Sequence, residues 1–232
     1  DKKNTKAFLL YKALLRAFGP QHWWPAKTPF EVVVGAILTQ NTNWGNVEKA
    51  IGNLRKEGIL TPSSMFYVRS SKLEKLIRSS GYYRQKTRKL KAFVEHLFKH
   101  HNGSLKRLFK QGKKTLREEL LSIHGIGNET ADSIILYAAN KPSFVVDAYT
   151  RRIGHRLGIF KSNKYSRIQA YFERNLPRSV KIYNEFHALL VALAKINCKR
   201  DPICVNCPAE IACVYQNIRG SVGSRSADQK IR

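Results

Sequence analysis

The tetrapeptide His124-Gly125-Ile126-Gly127 most constrains what this chain can fold into, because helical apolar periodicity runs up to it and then away from it. Before it, Leu116, Leu120, Leu121 and Ile123 share a stripe, and Thr115 and Glu118 have capping-box spacing, which predicts a helix start at Thr115. Two glycines in four residues end that helix in a tight turn and favour positive φ. Asn128 is placed to cap a second helix with the stripe Ala131, Ile134, Ile135 and Ala138, and Pro142 stops it. Such a turn leaves backbone N–H groups around Gly125 and Gly127 without intrahelical partners, a concavity suited to one phosphate. Many helical hairpins contain a G-x-G. Here an apolar run follows and delivers a carboxylate, Val145-Val146-Asp147, which points to a reaction as well as a grip.

Charge narrows the partner. Forty-two Lys and Arg against sixteen Asp and Glu give a net charge of +26, so a polyanion is the expected partner and an acidic membrane surface the competitor. No apolar run approaches the length of a membrane span and no secretory signal opens the chain. The expectation is a soluble, intracellular protein. The four cysteines, Cys198, Cys204, Cys207 and Cys213, are separated by five, two and five residues. That clustering argues against scattered disulfides and for one metal site, either zinc or a cubane cluster.

Elsewhere the pattern is helical. Trp23 and Trp24 stand together in a Pro-flanked loop, as core plugs or as an aromatic pocket wall. Thr28-Pro29-Phe30-Glu31 is a capping box with proline at the first helical position, and the helix it opens is apolar nearly all round, hence central. Trp44 opens the next helix. A long basic helix follows Tyr82, with Leu90, Phe93, Val94 and Leu97 inward and with Arg84 and Lys86 as candidate phosphate contacts. Asp147 is placed to cap a helix running to Leu157, with Arg151 in its first turn. Residues 165–175 and 180–197 read as further amphipathic helices, and 217–232 as a flexible tail. No strand pattern appears, so the fold class is all-α. The domains expected are 28–142, carrying the helix-hairpin-helix, and 1–27 together with 143–232, carrying the cysteine loop.

LLSIHGIGNETADSII followed by VVDAYTRRIGHRLG resembles the helix-hairpin-helix and aspartate signature of the endonuclease III superfamily of DNA glycosylases. The resemblance implies two helical lobes flanking a DNA-binding cleft, a hairpin (His124, Gly125, Gly127) that grips a phosphate, and Asp147 as the catalytic acid residue. It implies that Gln40 fills the space left by an extruded base. Bifunctional members carry a lysine two residues after the second hairpin glycine, where this chain has Glu129, so a Schiff base cannot form there. Many members end in four cysteines holding a [4Fe–4S] cluster, with six, two and five intervening residues. The two-and-five part matches, which favours that cluster over zinc. WWP, FEVVVGAILTQNTNW and SGYYRQKTRKL are similar to the 3-methyladenine glycosylase branch, which sandwiches the base between aromatic rings. Trp23, Trp24 and Trp44 would then wall the base pocket, with Glu129 beside them.

The expectation is a monomeric base-excision-repair enzyme acting on double-stranded DNA with a damaged base, and so associated with DNA, in the cytoplasm or nucleoid if the source is bacterial or archaeal. It would flip the base and hydrolyse its glycosidic bond, monofunctionally, on alkylated purines such as 3-methyladenine. The alternatives are a bifunctional endonuclease III-like glycosylase and AP lyase on oxidised pyrimidines, and a catalytically silent protein that binds damaged DNA.

Overall fold

The computed structural model describes residues 2–210 and 213–215, and among these it is all-helical. The expected tail at 217–232 lies outside the described residues. Two compact units emerge, Trp24–Ser143 and a terminal unit made of Asp1–Trp23 with Phe144–Arg232. The terminal unit opens with α1 (Lys6–Phe18). The 24–143 unit then contains α2 (Pro29–Leu38), α3 (Trp44–Lys56), α4 (Pro62–Tyr67), α5 (Ser70–Leu76), α6 (Tyr83–His101), α7 (Leu105–Phe109), α8 (Lys113–Ser122) and α9 (Asn128–Ser133). The chain returns to the terminal unit for α10 (Ala148–Arg156), α11 (Tyr165–Asn175) and α12 (Val180–Ile196).

The 24–143 unit is built round α2. Its Thr28 cap accepts the Glu31 N–H at 3.1 Å, and Pro29 occupies the first turn, where a missing N–H costs nothing. The Glu31 carboxylate reaches back to the Lys27 N–H (3.4 Å) and accepts from Arg55 of α3 at 2.6 Å, which compensates its burial. Every residue from Phe30 to Leu38 is buried, and Val33, Val34, Ile37 and Leu38 meet Leu54, Leu97, Leu116, Leu120 and Ile135 in one core. Each such aliphatic side chain stabilises the fold by roughly 1.5–3 kcal/mol.

Three local expectations in the hairpin are corrected. Helix α8 starts at Lys113 with Gly112 as its cap, so Thr115 and Glu118 lie inside the helix and form no capping box. The extended backbone at Gly112 is where the chain turns in from α7. Helix α9 is capped by Gly127, without a side-chain bond. Asn128 is its first helical residue, and its Oδ1 accepts from Arg117 at 2.8 Å. Only Gly125 has positive φ (+83°); Gly127 is extended. Beyond α9 the chain widens into a π-helical turn, Ile134–Ala138, which carries Tyr137.

The terminal unit is centred on α12, which buries residues on nearly every side, including Tyr183, Phe186, His187, Leu189 and Leu190. Phe144, Phe172, Tyr183 and Phe186 form an aromatic cluster in which Phe144 and Phe172 stack at 4.3 Å. This cluster anchors the extended run Phe144-Val145-Val146, buried to 1% exposure or less. Among the described residues no strand neighbours this run to satisfy its backbone, and α11 side chains do so. Glu173 accepts from the Phe144 N–H at 3.1 Å, Gln169 donates to the Phe144 carbonyl at 2.9 Å, and the Tyr165 hydroxyl accepts from the Val146 N–H at 3.4 Å. A rigid tether therefore delivers Asp147. No helix among the described residues is long and apolar enough to cross a membrane.

Candidate functional site

Asp147 sits where the buried tether turns into α10. It caps that helix, its Oδ1 accepting the Thr150 N–H at 2.7 Å. Its other oxygen, Oδ2, faces Nε2 of His187 on α12 at 3.5 Å. The carboxylate is 15% exposed and the His187 ring 7%. Burial pushes the Asp147 carboxyl up, but His187 and then the Thr150 backbone and hydroxyl outweigh it and hold the carboxyl below its ordinary range. The group is thus an anion, fixed in direction, with part of its surface open. His187 is the residue that sequence reasoning missed. Its neighbours Phe186 and Ala188 made it look like one more position on a buried stripe, and no local pattern marks it out.

The 24–143 unit brings other residues together. Trp24 meets Trp44 edge-on at 5.1 Å and Tyr137 at 5.0 Å. Its indole lies against Gly35 of α2, where a Cβ would come within 3.2 Å of Trp24 Cζ2. Trp44 donates its ring N–H to Glu48 at 2.8 Å. All three rings are partly exposed, so the unit carries an aromatic trio in which Tyr137 takes a place the sequence did not suggest. Trp23 is partly exposed and belongs to the terminal unit. Glu129 stands exposed in the first turn of α9.

The hairpin is braced from both sides. Arg117 of α8 grips Asp132 of α9 through Nε (2.9 Å) and Nη2 (3.0 Å), and Ser143 donates to the same carboxylate at 2.7 Å. Gln40, at the turn after α2, donates to the Gly125 carbonyl at 3.1 Å and to Thr130 Oγ1 at 2.9 Å, and accepts from the Lys89 ammonium. Gln40 is therefore held against the hairpin loop. Gly125 is required twice over, for its positive φ and because a Cβ there would strike Lys89 Cγ at 2.2 Å. A Cβ at Gly127 meets nothing within 4 Å. His124 and Gly127 are exposed.

One expected surface cation is not on the surface. Lys86 is 2% exposed, and its ammonium donates to the carbonyls of Leu38 (2.9 Å) and Ser80 (2.5 Å). The reason is the free carbonyl end of α2, which a buried cation satisfies better than solvent can in that position. Lys86 is a helix clamp and does not present its charge to a phosphate. Arg84, two residues earlier, is exposed, with its guanidinium 5.9 Å from the Tyr83 ring. Arg151 is partly exposed, and its guanidinium lies 5.9 Å from the Tyr165 ring.

Cys198, Cys204, Cys207 and Cys213 line a single small cavity with Arg156, Pro202 and Tyr215. Burial, together with the proximity of the other three thiols, pushes the Cys207 thiol up, against a lowering bond from the Ala209 backbone. Four convergent thiols are a donor set for zinc or an iron–sulfur cluster. The same loop is bolted to α10. Arg152 Nε donates to the Cys198 carbonyl at 3.0 Å, and Arg156 donates to the Lys199 and Arg200 carbonyls at 2.5 and 2.8 Å. One helix thus carries Asp147 at its N-terminus and holds the cysteine loop along its C-terminal half.

Residues 34–178 match the HhH-GPD superfamily of base excision DNA repair proteins. A "Putative DNA repair glycosylase" from Methanocaldococcus jannaschii is 46% identical over 217 residues, covering 92% of this chain and 98% of the relative. The structure of a 3-methyladenine DNA glycosylase from H. pylori, bound to 1,N6-ethenoadenine, superposes with a TM-score of 0.73 at 30% identity, covering 82% of this chain and 98% of that one. A trapped endonuclease III–DNA covalent intermediate superposes with a TM-score of 0.80 at 23% identity, covering 94% and 98%, and so shares the fold. The chain belongs to the HhH-GPD superfamily and is a base-excision-repair DNA glycosylase.

Proposed function

We propose that this glycosylase is monofunctional and removes alkylated purines such as 3-methyladenine from duplex DNA, using Asp147 and no amine nucleophile. The observation that carries the reading is the aromatic trio Trp24, Trp44 and Tyr137. An electron-rich set of rings favours a planar base with positive charge, by about 0.5–2 kcal/mol per cation–π contact. The likeness to the H. pylori enzyme, whose bound ligand is an etheno-modified adenine, supports the same substrate class.

The chemistry asks little of the protein. As the bond from C1′ to the base breaks, its electron pair leaves with the purine, and an N-alkylated purine departs neutral. The carboxylate of Asp147 offsets the positive charge that develops on the sugar, orients a water towards C1′ and takes up its proton. Glu129 stands where a Schiff-base lysine would be needed, which supports hydrolysis without strand cleavage. His124, Gly125 and Gly127 of the hairpin, with Arg84 and Arg151, are assigned to the DNA backbone. Gln40 is assigned to the gap in the duplex, and to enter it must give up its bonds to Gly125 and Thr130. We assign the four cysteines to a [4Fe–4S] cluster, with zinc as the competing occupant. Such a group, when bound, cross-links the loop that Arg152 and Arg156 tie to α10.

Base release from a panel of duplexes, with and without alkali, tests this. Release of methylated purine with nicking only after alkali is expected. Spontaneous nicking at oxidised pyrimidines would establish the bifunctional alternative instead. No release from any duplex, with binding retained, would make the chain a damage-binding protein.

A further inference from the structure

The end of α6 and the middle of α8 meet in a cluster that the glycosylase reading does not use. His96 Nε2 lies 2.7 Å from Glu119 Oε1, and His101 Nε2 lies 2.5 Å from the same oxygen. Gln111, in the turn before α8, donates to the other oxygen, Oε2. The three side chains are only 15–20% exposed. Their ligand atoms all lie within 4.8 Å of one another.

The geometry points to a divalent transition-metal site, best suited to Zn²⁺, with His96 Nε2, His101 Nε2 and Glu119 as ligands and one position open to water. Two imidazoles and a carboxylate are a recurrent zinc donor set, completed by water to a tetrahedron. Metal–ligand bonds of about 2.0–2.2 Å give a tetrahedral edge near 3.4 Å. Both Nε2–Oε1 contacts, at 2.7 and 2.5 Å, therefore open by roughly 0.7–0.9 Å as the ion enters between them, and the two ring nitrogens, within 4.8 Å of one another, close by at most roughly 1.4 Å. That movement is within reach of side-chain rotation, because His101 is the last residue of α6 and the chain turns at Asn102. The two ring nitrogens share one carboxylate oxygen. A cation takes the place of their hydrogens there, each Nε2 proton moving to Nδ1 or to solvent. Gln111 then plays the orienting part that fixes a ligating carboxylate. An ordinary ion-pair network does not require both rings to converge on one carboxylate oxygen, as these do. Irving–Williams preference adds that nickel or copper would compete, whereas Mg²⁺ and Ca²⁺ prefer oxygen donors. The ion would pin the C-terminus of α6 to α8, the first helix of the hairpin.

The test uses the protein as isolated, with its cysteine site filled, after gel filtration through EDTA. It is titrated with Zn²⁺ calorimetrically and with Co²⁺ by visible absorption. One equivalent should bind, giving cobalt d–d bands without a thiolate-to-metal charge-transfer band. His101→Asn and Glu119→Gln should each weaken binding by about 100-fold or more, and Gln111→Ala by about 10-fold, the latter in line with an outer-shell partner. Absence of binding by the unmodified protein, a thiolate band in the cobalt spectrum, or affinity unchanged in folded H101N would each overturn the proposal. The cobalt spectrum of the unmodified chain decides the matter even if a variant fails to fold.

Discussion

Replacing Arg117 by alanine removes the cation that compensates a fully buried carboxylate. Asp132 is 0% exposed and Arg117 26%. The guanidinium makes two bonds to Asp132 and a third, at 2.8 Å, to Asn128 at the start of α9. Breaking a buried pair by deleting one member typically costs about 3–5 kcal/mol. The partial exposure of Arg117 lets water screen the orphaned charge, so the lower figure, about 3 kcal/mol, applies. At about 4 °C per kcal/mol for a unit of this size, Tm should fall by roughly 12 °C. Urea unfolding followed by far-ultraviolet circular dichroism measures the change directly. Arg117→Met combined with Asp132→Leu should recover much of the loss, because an apolar pair leaves no charge to desolvate. A loss below about 0.5 kcal/mol in Arg117→Ala, the level of an ordinary surface substitution, would refute the argument that this brace holds the hairpin.

Other consequences are equally direct. Asp147→Asn should abolish base release while leaving DNA affinity nearly unchanged. In the unmodified enzyme the acid limb of the pH–rate profile should lie below the usual carboxylate range, because the folded-state carboxyl is depressed. By the same sign, the stability that Asp147 contributes is present above its unfolded value and is lost as pH falls through the folded one. Gly125→Ala should destabilise the fold by at least about 1–2 kcal/mol, from its left-handed backbone, whereas Gly127→Ala, extended and unhindered, should lose only the roughly 0.5 kcal/mol by which glycine caps α9 better than alanine, and weaken DNA binding. Equal thermal effects of the two would contradict the assignment of different constraints. Burial, with the nearby Lys89 charge second, pushes Lys86 from 10.5 down to about 8. The unfolded state therefore holds more protons between those values, stability rises with pH across that window, and Lys86→Met should remove that component of the slope.

Much of the architecture is legible in neighbouring residues. Thr28, Pro29 and the unbroken apolar run to Leu38 specify a central helix, because cap, proline preference and burial act within three or four positions. The Gly125 turn is legible for the same reason, since only a few residue types tolerate its φ. The four cysteines announce a common site by their spacing alone. The helix starts at Lys113 and Asn128 are less legible, because Thr115–Glu118 and Asn128 satisfy cap rules that Gly112, three residues before Thr115, and Gly127, one before Asn128, pre-empt.

What the linear sequence determined, then, was the helical class, the hairpin, the aspartate at the end of its apolar tether and the clustered thiols. Tertiary structure alone decided the partners. Lys86 turns inward to a carbonyl 48 residues away. Arg117 finds Asp132 15 residues on. His187 comes to Asp147, and Tyr137 to Trp24. Caps, turns and periodicity are short-range and strong enough to be read in place. Buried polar groups have no preferred neighbour in sequence, and find their partners wherever packing has removed the water that would otherwise serve them.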